Sequence, residues 1–194
     1  ATRARSFVVN STSVWPADEL DLADVLHAEA QETLERAARA IEAYHVNSRG
    51  QFVGRFSIVA GEEPAAASTV DIALLVVAAD EALRSGAQPA DVLTRLRDRA
   101  AAQLADRQGS DGLFAEPSST AGVFTHLAAQ FAGIYGSLAA GDVAAARRAF
   151  DALEATAWVG SLGFGLYRLP GVPTPCYTAL DVGLAVAALR ELAA

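Results

Sequence analysis

The chain has 194 residues, 52% of them hydrophobic, and a formal net charge of −8. This length suits one domain with a sizeable core, and the acidic balance argues against nucleic acid or an anionic membrane surface as a partner. A single cysteine excludes an internal disulfide framework, and no apolar run reaches the length of a membrane span. Every cation is arginine, which is typical of bacterial high-GC composition and indicates no particular chemistry. We expect a cytoplasmic protein, although initiator removal and signal cleavage would both leave Ala1 at the start.

Residues 1–16 are predicted to form an N-terminal arm, and residues 17–194 a single repeat domain. Apolar residues at helical spacing predict one long helix over 17–44, or two helices joined near 28–30. Residues 45–50 break this helix. The alternation in residues 51–61 then favours a short strand or an extended loop.

The rest of the chain alternates between two kinds of predicted helix. Those at 70–84, 123–138 and 175–192 are apolar on nearly every side, which predicts an inner layer, with Ser68 or Thr69 as the first N-cap. Those at 90–107 and 142–156 are amphipathic and are expected outside. The predicted buried face of the 90–107 helix consists of Val92, Leu93, Leu96, Ala100 and Leu104.

The helices also belong to a sequence repeat. Shifting residues 163–189 back by 51 positions (163 minus 112) places them over residues 112–138 without a gap. A third copy, residues 50–83, aligns at its helical end if its loop is longer. Self-similarity at this period predicts helical hairpins that stack side by side and share one core.

Two loop motifs resemble those of a known superfamily. Gln108 followed by residues 111–114 (DGLF) is similar to the Q-x-x-D-G-x-F/W signature of α/α-toroid repeats in terpenoid cyclases and protein prenyltransferase β subunits. Residues 165–170 and the following Cys176 and Tyr177 resemble a prenyltransferase repeat whose Gly-rich loop leads to an Asp-x-Cys-Tyr motif. The resemblance implies an all-α fold, a partial α/α toroid of helical hairpins with Gly-rich loops at one end.

The chain departs from that superfamily where the chemistry lies. Thr174 occupies the position of the zinc-ligand aspartate, and no later repeat supplies the histidine that completes the family's zinc site. The acidic motifs of the cyclases are also absent. We therefore predict no metal and no other cofactor. The helix pairs are fewer than in the closed family ring, so the ring is open, completed by a second chain, or reduced.

Three polar residues occupy matching positions in the repeat. Counting back twelve residues from the leucine that ends each aligned copy reaches Asp71, His126 and Tyr177. In a toroid these residues would line one level of a cavity, with the imidazole exchanging a proton, the carboxylate orienting it and the phenol binding a substrate oxygen. Alternatively, Asp71 is a helix-start acid, and the other two are half-buried side chains bonded to loop carbonyls.

Further residues are candidates for substrate binding near the same level. An unpaired buried carboxylate is costly, so Asp181 is expected either to reach Arg168 or to face a wet cavity. Cys176 could join Asp71 and His126 at zinc, but a small core residue is the favoured interpretation. Aromatic residues would either line the wall of a cavity or pack in the hydrophobic core. The complete substrate-binding set is Asp181, Cys176, Phe124, Tyr167 and Arg168.

These patterns lead to two functional hypotheses. In the first, the protein binds a hydrophobic small molecule of isoprenoid or polyketide type in the central groove. Whether it also transforms that molecule stays open, and an enzyme here would be cyclase-, isomerase- or transferase-like. In the second, the protein is a non-catalytic interaction module whose open toroid edge is completed by a protein partner or a second copy.

Overall fold

The computed structural model describes residues 19–54, 66–117, 127–158 and 178–194. Within them the chain is all-helical, with six helices and only isolated bridges between extended residues. The helices are α1 (Glu19–Tyr44), α2 (Thr69–Arg84), α3 (Ala90–Ala105), α4 (Leu127–Ala139), α5 (Val143–Ala157) and α6 (Ala179–Ala193). The all-α prediction is confirmed. The N-terminal arm, residues 1–16, lies outside the described residues.

The helices pack in two groups. Helices α2, α4 and α6 are neighbours in that order, because α2 packs on α4 and α4 packs on α6. On the other side, α3 packs against α2, α1 and α4, and α5 packs against α4. Large side chains at the centre come from several helices: Ile72, Leu96, Leu104, Phe131, Ile134 and Leu153.

The amphipathic patterns predicted the helices α3 and α5 and the buried face of α3. The buried face of α3 consists of the predicted residues Val92, Leu93, Leu96, Ala100 and Leu104. Its C-terminal end was predicted too late, since the helix ends at Ala105 rather than at residue 107. The predicted helix at 142–156 is α5, which begins at Val143 after the N-cap Asp142.

The three apolar helices differ in burial more than their sequences suggested. Helix α4 is buried along most of its length, including Gln130 and Ser137. Helix α2 buries one side only and leaves Leu74 38% exposed, so the expectation of burial on most sides is too strong. Helix α6 buries only Asp181, Leu184 and Ala188.

Helix α6 also begins later than the sequence predicted. Thr178 is the N-cap, and its side chain accepts a hydrogen bond from the backbone of Asp181. The predicted start at Pro175 is therefore wrong. A local hydroxyl-carboxylate capping box stabilises the helix terminus better than a proline in the first turn, because it provides partners for two backbone N–H groups.

Two loops have the same geometry and show the repeat at atomic detail. Antiparallel bridges join Val46 to Phe52 in the first loop and Gln108 to Phe114 in the second. Each loop turns at a glycine with positive φ, 78° at Gly50 and 86° at Gly112. L-residues rarely adopt this conformation, so these glycines permit the turns. The first loop therefore corresponds to the second with an offset of 62 residues (108 minus 46).

Glutamine side chains hold both loops against the helices. Gln130 accepts a hydrogen bond from the Phe114 amide and donates one to the Phe114 carbonyl, both at 2.8 Å. Gln103 contacts the two backbone groups of Phe52 in the same way, at 2.7 and 3.5 Å. These side chains replace strand partners that the isolated bridges lack, so the loops need no sheet.

Candidate functional site

The described residues form a cleft between the C-terminal end of α1 and the N-terminal end of α2. Its volume is about 350 Å³, which lies within the usual range for small-molecule pockets. Residues from α1, the first loop and α2 form its walls. Seven are apolar or glycine and two can form polar contacts with a ligand: Ile41, Phe52, Val53, Gly54, Ala67, Ile72 and Leu75, with His45 and Asp71.

His45 is fixed by the first loop. Its ring nitrogen Nδ1 lies 3.3 Å from the carbonyl oxygen of Val53, and its own carbonyl accepts the Val53 amide at 2.9 Å. A carbonyl oxygen only accepts hydrogen bonds, so Nδ1 carries the hydrogen. The neutral ring therefore has its lone pair on Nε2, and this atom is the one that remains for a ligand.

Asp71 combines a structural contact with its place in the cleft wall. Its Oδ2 accepts a hydrogen bond from the Ser68 amide at 3.2 Å, and its own amide donates to Ser68 Oγ at 3.0 Å. These two bonds form a capping box at the start of α2. The expectation that Ser68 or Thr69 caps this helix is confirmed, with Ser68 as the N-cap.

A half-buried arginine lies behind this end of α2. Arg107 donates to Thr69 Oγ1 at 3.0 Å and to the Ala67 carbonyl at 2.6 Å, while Glu116 accepts the Thr69 amide at 3.1 Å. Burial lowers the pKa of Arg107, and the negative charges of Glu116 and Asp71 oppose that change. The guanidinium of Arg107 thus interacts with two carboxylates at this end of α2.

The structure describes two of the predicted site residues. Asp71 is exposed and lines the cleft. Asp181 is 6% exposed, and its Oδ2 accepts hydrogen bonds from the amide and the hydroxyl of Thr178, both at 2.7 Å. The other predicted site residues lie outside the described ranges: His126, Tyr177, Cys176, Phe124, Tyr167 and Arg168.

Aligning the repeats by the first residues of their helices pairs different residues from those paired by the sequence alignment. Asp71 and Asp181 are each the N3 residue of a capping box, three positions after Ser68 and Thr178. By distance from the helix start, Asp71 therefore corresponds to Asp181. Tyr177, its partner in the leucine alignment, precedes the N-cap of α6.

Sequence reasoning missed His45, which it treated only as part of a helix-breaking segment. The signal was the loop repeat itself. The two loops share one backbone hydrogen bond next to the bridge. The Val53 amide donates to the His45 carbonyl in the first loop, and the Ala115 amide donates to the Arg107 carbonyl in the second, both at 2.9 Å. An alignment of the loops rather than the helix ends would have paired His45 with Arg107.

A second surface feature is a part of α6 where apolar side chains are exposed among the described residues. Leu180, Val182 and Val186 are 53%, 54% and 64% exposed. Gly183, between them, has open space where a Cβ would point. Isolated exposed aliphatic residues are common, but Val182 and Val186 lie one turn apart on the same face and form a small apolar patch, whereas Leu180 lies on a different face.

Comparison with protein-family models, curated proteins and solved structures found no match for this chain. The resemblance to α/α-toroid repeats therefore stays a prediction from the motif residues. Within the described ranges, no group of three or more His, Cys, Asp or Glu side chains could hold a metal ion. The same ranges contain no helix with both the length and the apolar character needed to cross a membrane.

Proposed function

We propose that this protein binds a hydrophobic small molecule, and that the cleft between α1 and α2 contributes the binding site. The observation that carries this proposal is an apolar cleft of about 350 Å³ whose wall includes His45 and Asp71. Small-molecule sites combine this kind of apolar surface with a few polar groups that orient the ligand. The cleft lies beside the first loop, and a Gly-containing loop is where the sequence motifs predicted binding residues.

The finer proposal keeps the partial α/α toroid and a ligand of isoprenoid or polyketide type. The consecutive packing of α2, α4 and α6 supports the toroid, because inner helices of such a ring are neighbours in this order. The acid/base roles of Asp71, His126 and Tyr177 remain part of this proposal, as does a cytoplasmic location. A transformation of the ligand would be cyclase-, isomerase- or transferase-like.

Adjacent leucines on α2 provide a test of the binding site. Leu75 lines the cleft and is half-buried, whereas Leu74 is 38% exposed and lies outside it. Leu75→Trp should fill part of the cleft and weaken binding of a hydrophobic probe such as 1-octanol, measured by isothermal titration calorimetry. Leu74→Trp adds the same side chain and should bind as the unmodified protein does. Equal affinity in both variants would refute the site.

The second candidate function is a protein interaction module. The exposed pair Val182 and Val186 on α6 supports it, because they lie on the face opposite the buried residues Leu184 and Ala188, and among the described helices α6 packs mainly on α4. A second copy or a protein partner would cover the patch. Val186→Glu should then convert any dimer to monomer in light scattering after size exclusion, without loss of helical circular dichroism. A monomer in the unmodified protein would remove the version with a second copy.

A further inference from the structure

Among the described residues, the polar side chains of the cleft wall present hydrogen-bond acceptors rather than donors, and this limits which ligands fit. The Asp71 carboxylate accepts only. His45 uses its Nδ1 hydrogen on the Val53 carbonyl, at 3.3 Å, so in the neutral ring the remaining nitrogen, Nε2, is also an acceptor. Both polar side chains in the wall therefore favour a ligand group that donates hydrogen bonds.

The start of a helix usually favours anions through its free N–H groups, but here three of the first four amides, those of Ser68, Thr69 and Asp71, already have acceptors in the protein. The Thr69 amide donates to Glu116 at 3.1 Å, and the Asp71 amide donates to Ser68 Oγ at 3.0 Å. The Ser68 amide is bonded to Asp71 Oδ2. An anionic ligand would lack these partners and would approach two carboxylates.

Arg107 does not reverse this preference. Arg107 does not line the cleft, and two of its N–H groups donate to Thr69 Oγ1 and to the Ala67 carbonyl. Its positive charge interacts with the carboxylates of Asp71 and Glu116, which lie at the same end of α2. The cap occupies Asp71 Oδ2, so Oδ1 is the atom that a ligand would meet.

We infer that the cleft selects an apolar molecule whose polar end is a hydrogen-bond donor, a hydroxyl or an ammonium group, and rejects the matching carboxylate or phosphate. This inference rests on the proposed function, and it specifies the ligand class. His45 Nε2 and Asp71 Oδ1 accept from the polar end, while Ile41, Phe52 and Leu75 contact the apolar body. A phosphorylated isoprenoid is thereby excluded from this cleft, whereas its alcohol is accepted.

Four probes with one alkyl chain test the inference: 1-octanol, octylamine, octanoate and octyl phosphate. Isothermal titration calorimetry at pH 7 on the full chain should detect the alcohol and the protonated amine and give no binding for the two anions. Anion binding as tight as that of the alcohol, with loss of both in Leu75→Trp, would overturn the inference and leave the proposed function intact. Absence of binding by all four probes would instead remove the proposed function.

Asp71→Asn sharpens the test, because the amide oxygen can still cap Ser68 while the charge is lost. Affinity for octylamine should fall about tenfold or more, as expected for loss of one charge-assisted hydrogen bond, and affinity for 1-octanol should change little. Glu81→Gln is the control, since it removes one negative charge from an exposed position on the same helix, outside the cleft. Equal losses for the amine in both variants would contradict a direct contact with Asp71.

Discussion

The Gln130 side chain should contribute more stability than any other polar group in the described core. It is fully buried and holds both backbone groups of Phe114, at 2.8 Å each. Gln130→Met keeps a similar length and volume but removes both hydrogen bonds. The Phe114 amide and carbonyl would then lose their partner in a buried environment, because Phe114 is itself only 3% exposed.

The magnitude follows from the two groups left without partners. A buried backbone N–H or C=O that loses its hydrogen bond costs about 1–3 kcal/mol. The pair therefore predicts a decrease of roughly 2–6 kcal/mol in the free energy of unfolding, with only a small cavity contribution since methionine fills similar space. Against a total stability of about 5–15 kcal/mol for a domain, this loss is large.

Urea unfolding followed by far-ultraviolet circular dichroism measures this change. The midpoint should fall while the dependence on denaturant stays constant, because the surface exposed on unfolding is unchanged. Gln103→Met is the matched control. Gln103 holds Phe52 in the same way, but its own side chain is only partly buried and its bond to the Phe52 carbonyl is 3.5 Å long, so the loss should be smaller, about 1 kcal/mol. A loss below about 1 kcal/mol for Gln130→Met would refute the reasoning.

Gln130→Glu adds a test of sign. The introduced carboxylate can still accept from the Phe114 amide, but its second oxygen would face the Phe114 carbonyl without a hydrogen between them. Protonation restores a donor, so burial and this contact both raise the folded-state pKa of the introduced group. Its stabilising contribution is present at low pH and lost as the pH rises through that raised value. The variant should therefore approach the unmodified protein in acid and fall away from it at neutral pH.

Three further predictions concern single positions. Gly50→Ala should lower the free energy of unfolding in urea by about 1–2 kcal/mol because the residue has a positive φ. Gly112→Ala should lower it further, since the new Cβ would also meet a methyl group and a carbonyl oxygen of α5 at 3.0 Å. Equal losses for the two variants would contradict this close approach. Arg95 on α3 bonds Glu42 on α1 at 2.8 Å and lowers the pKa of that carboxyl. This stabilisation is present at pH values above the ordinary pKa of 4.5 and is lost as the pH falls. Glu42→Gln should therefore lower the melting temperature slightly at pH 7 but not in acid. High salt should reduce the difference at pH 7. Asp181→Ala should cost about 1 kcal/mol in the same unfolding assay through loss of the α6 capping box, and an unchanged midpoint would speak against that box.

The features that could be predicted from the sequence are those that belong to a single helix, such as which of its faces is buried. The period of apolar residues in α3 predicted its buried face, because an amphipathic helix has one stable way to face a core. The same reasoning could not rank α2, α4 and α6, whose apolar residues lie on every side. For such helices, burial is set by how many neighbours surround them, and that number depends on the whole chain.

The cleft was not predictable from helix periodicity because it lies where α1, the first loop and α2 meet. His45 has no signal of its own in a single sequence. Its orientation comes from the Val53 carbonyl, and Val53 is in turn held by an isolated bridge to Ala66. Nothing in a single sequence indicates which residues form contacts of this kind. Only the similarity between the two loops could have pointed to them.

Asp71 and Asp181 show why a motif alone does not define a site. Both begin a helix with the same hydroxyl-carboxylate box, and local chemistry requires nothing more of either. Asp181 is 6% exposed and its carboxylate accepts two hydrogen bonds from Thr178, whereas Asp71 is exposed in the wall of the cleft beside His45. The cap uses one oxygen of Asp71, so structural and ligand-binding roles can coexist in one carboxylate. Asp71→Asn separates these roles, because it retains the capping oxygen and removes the charge.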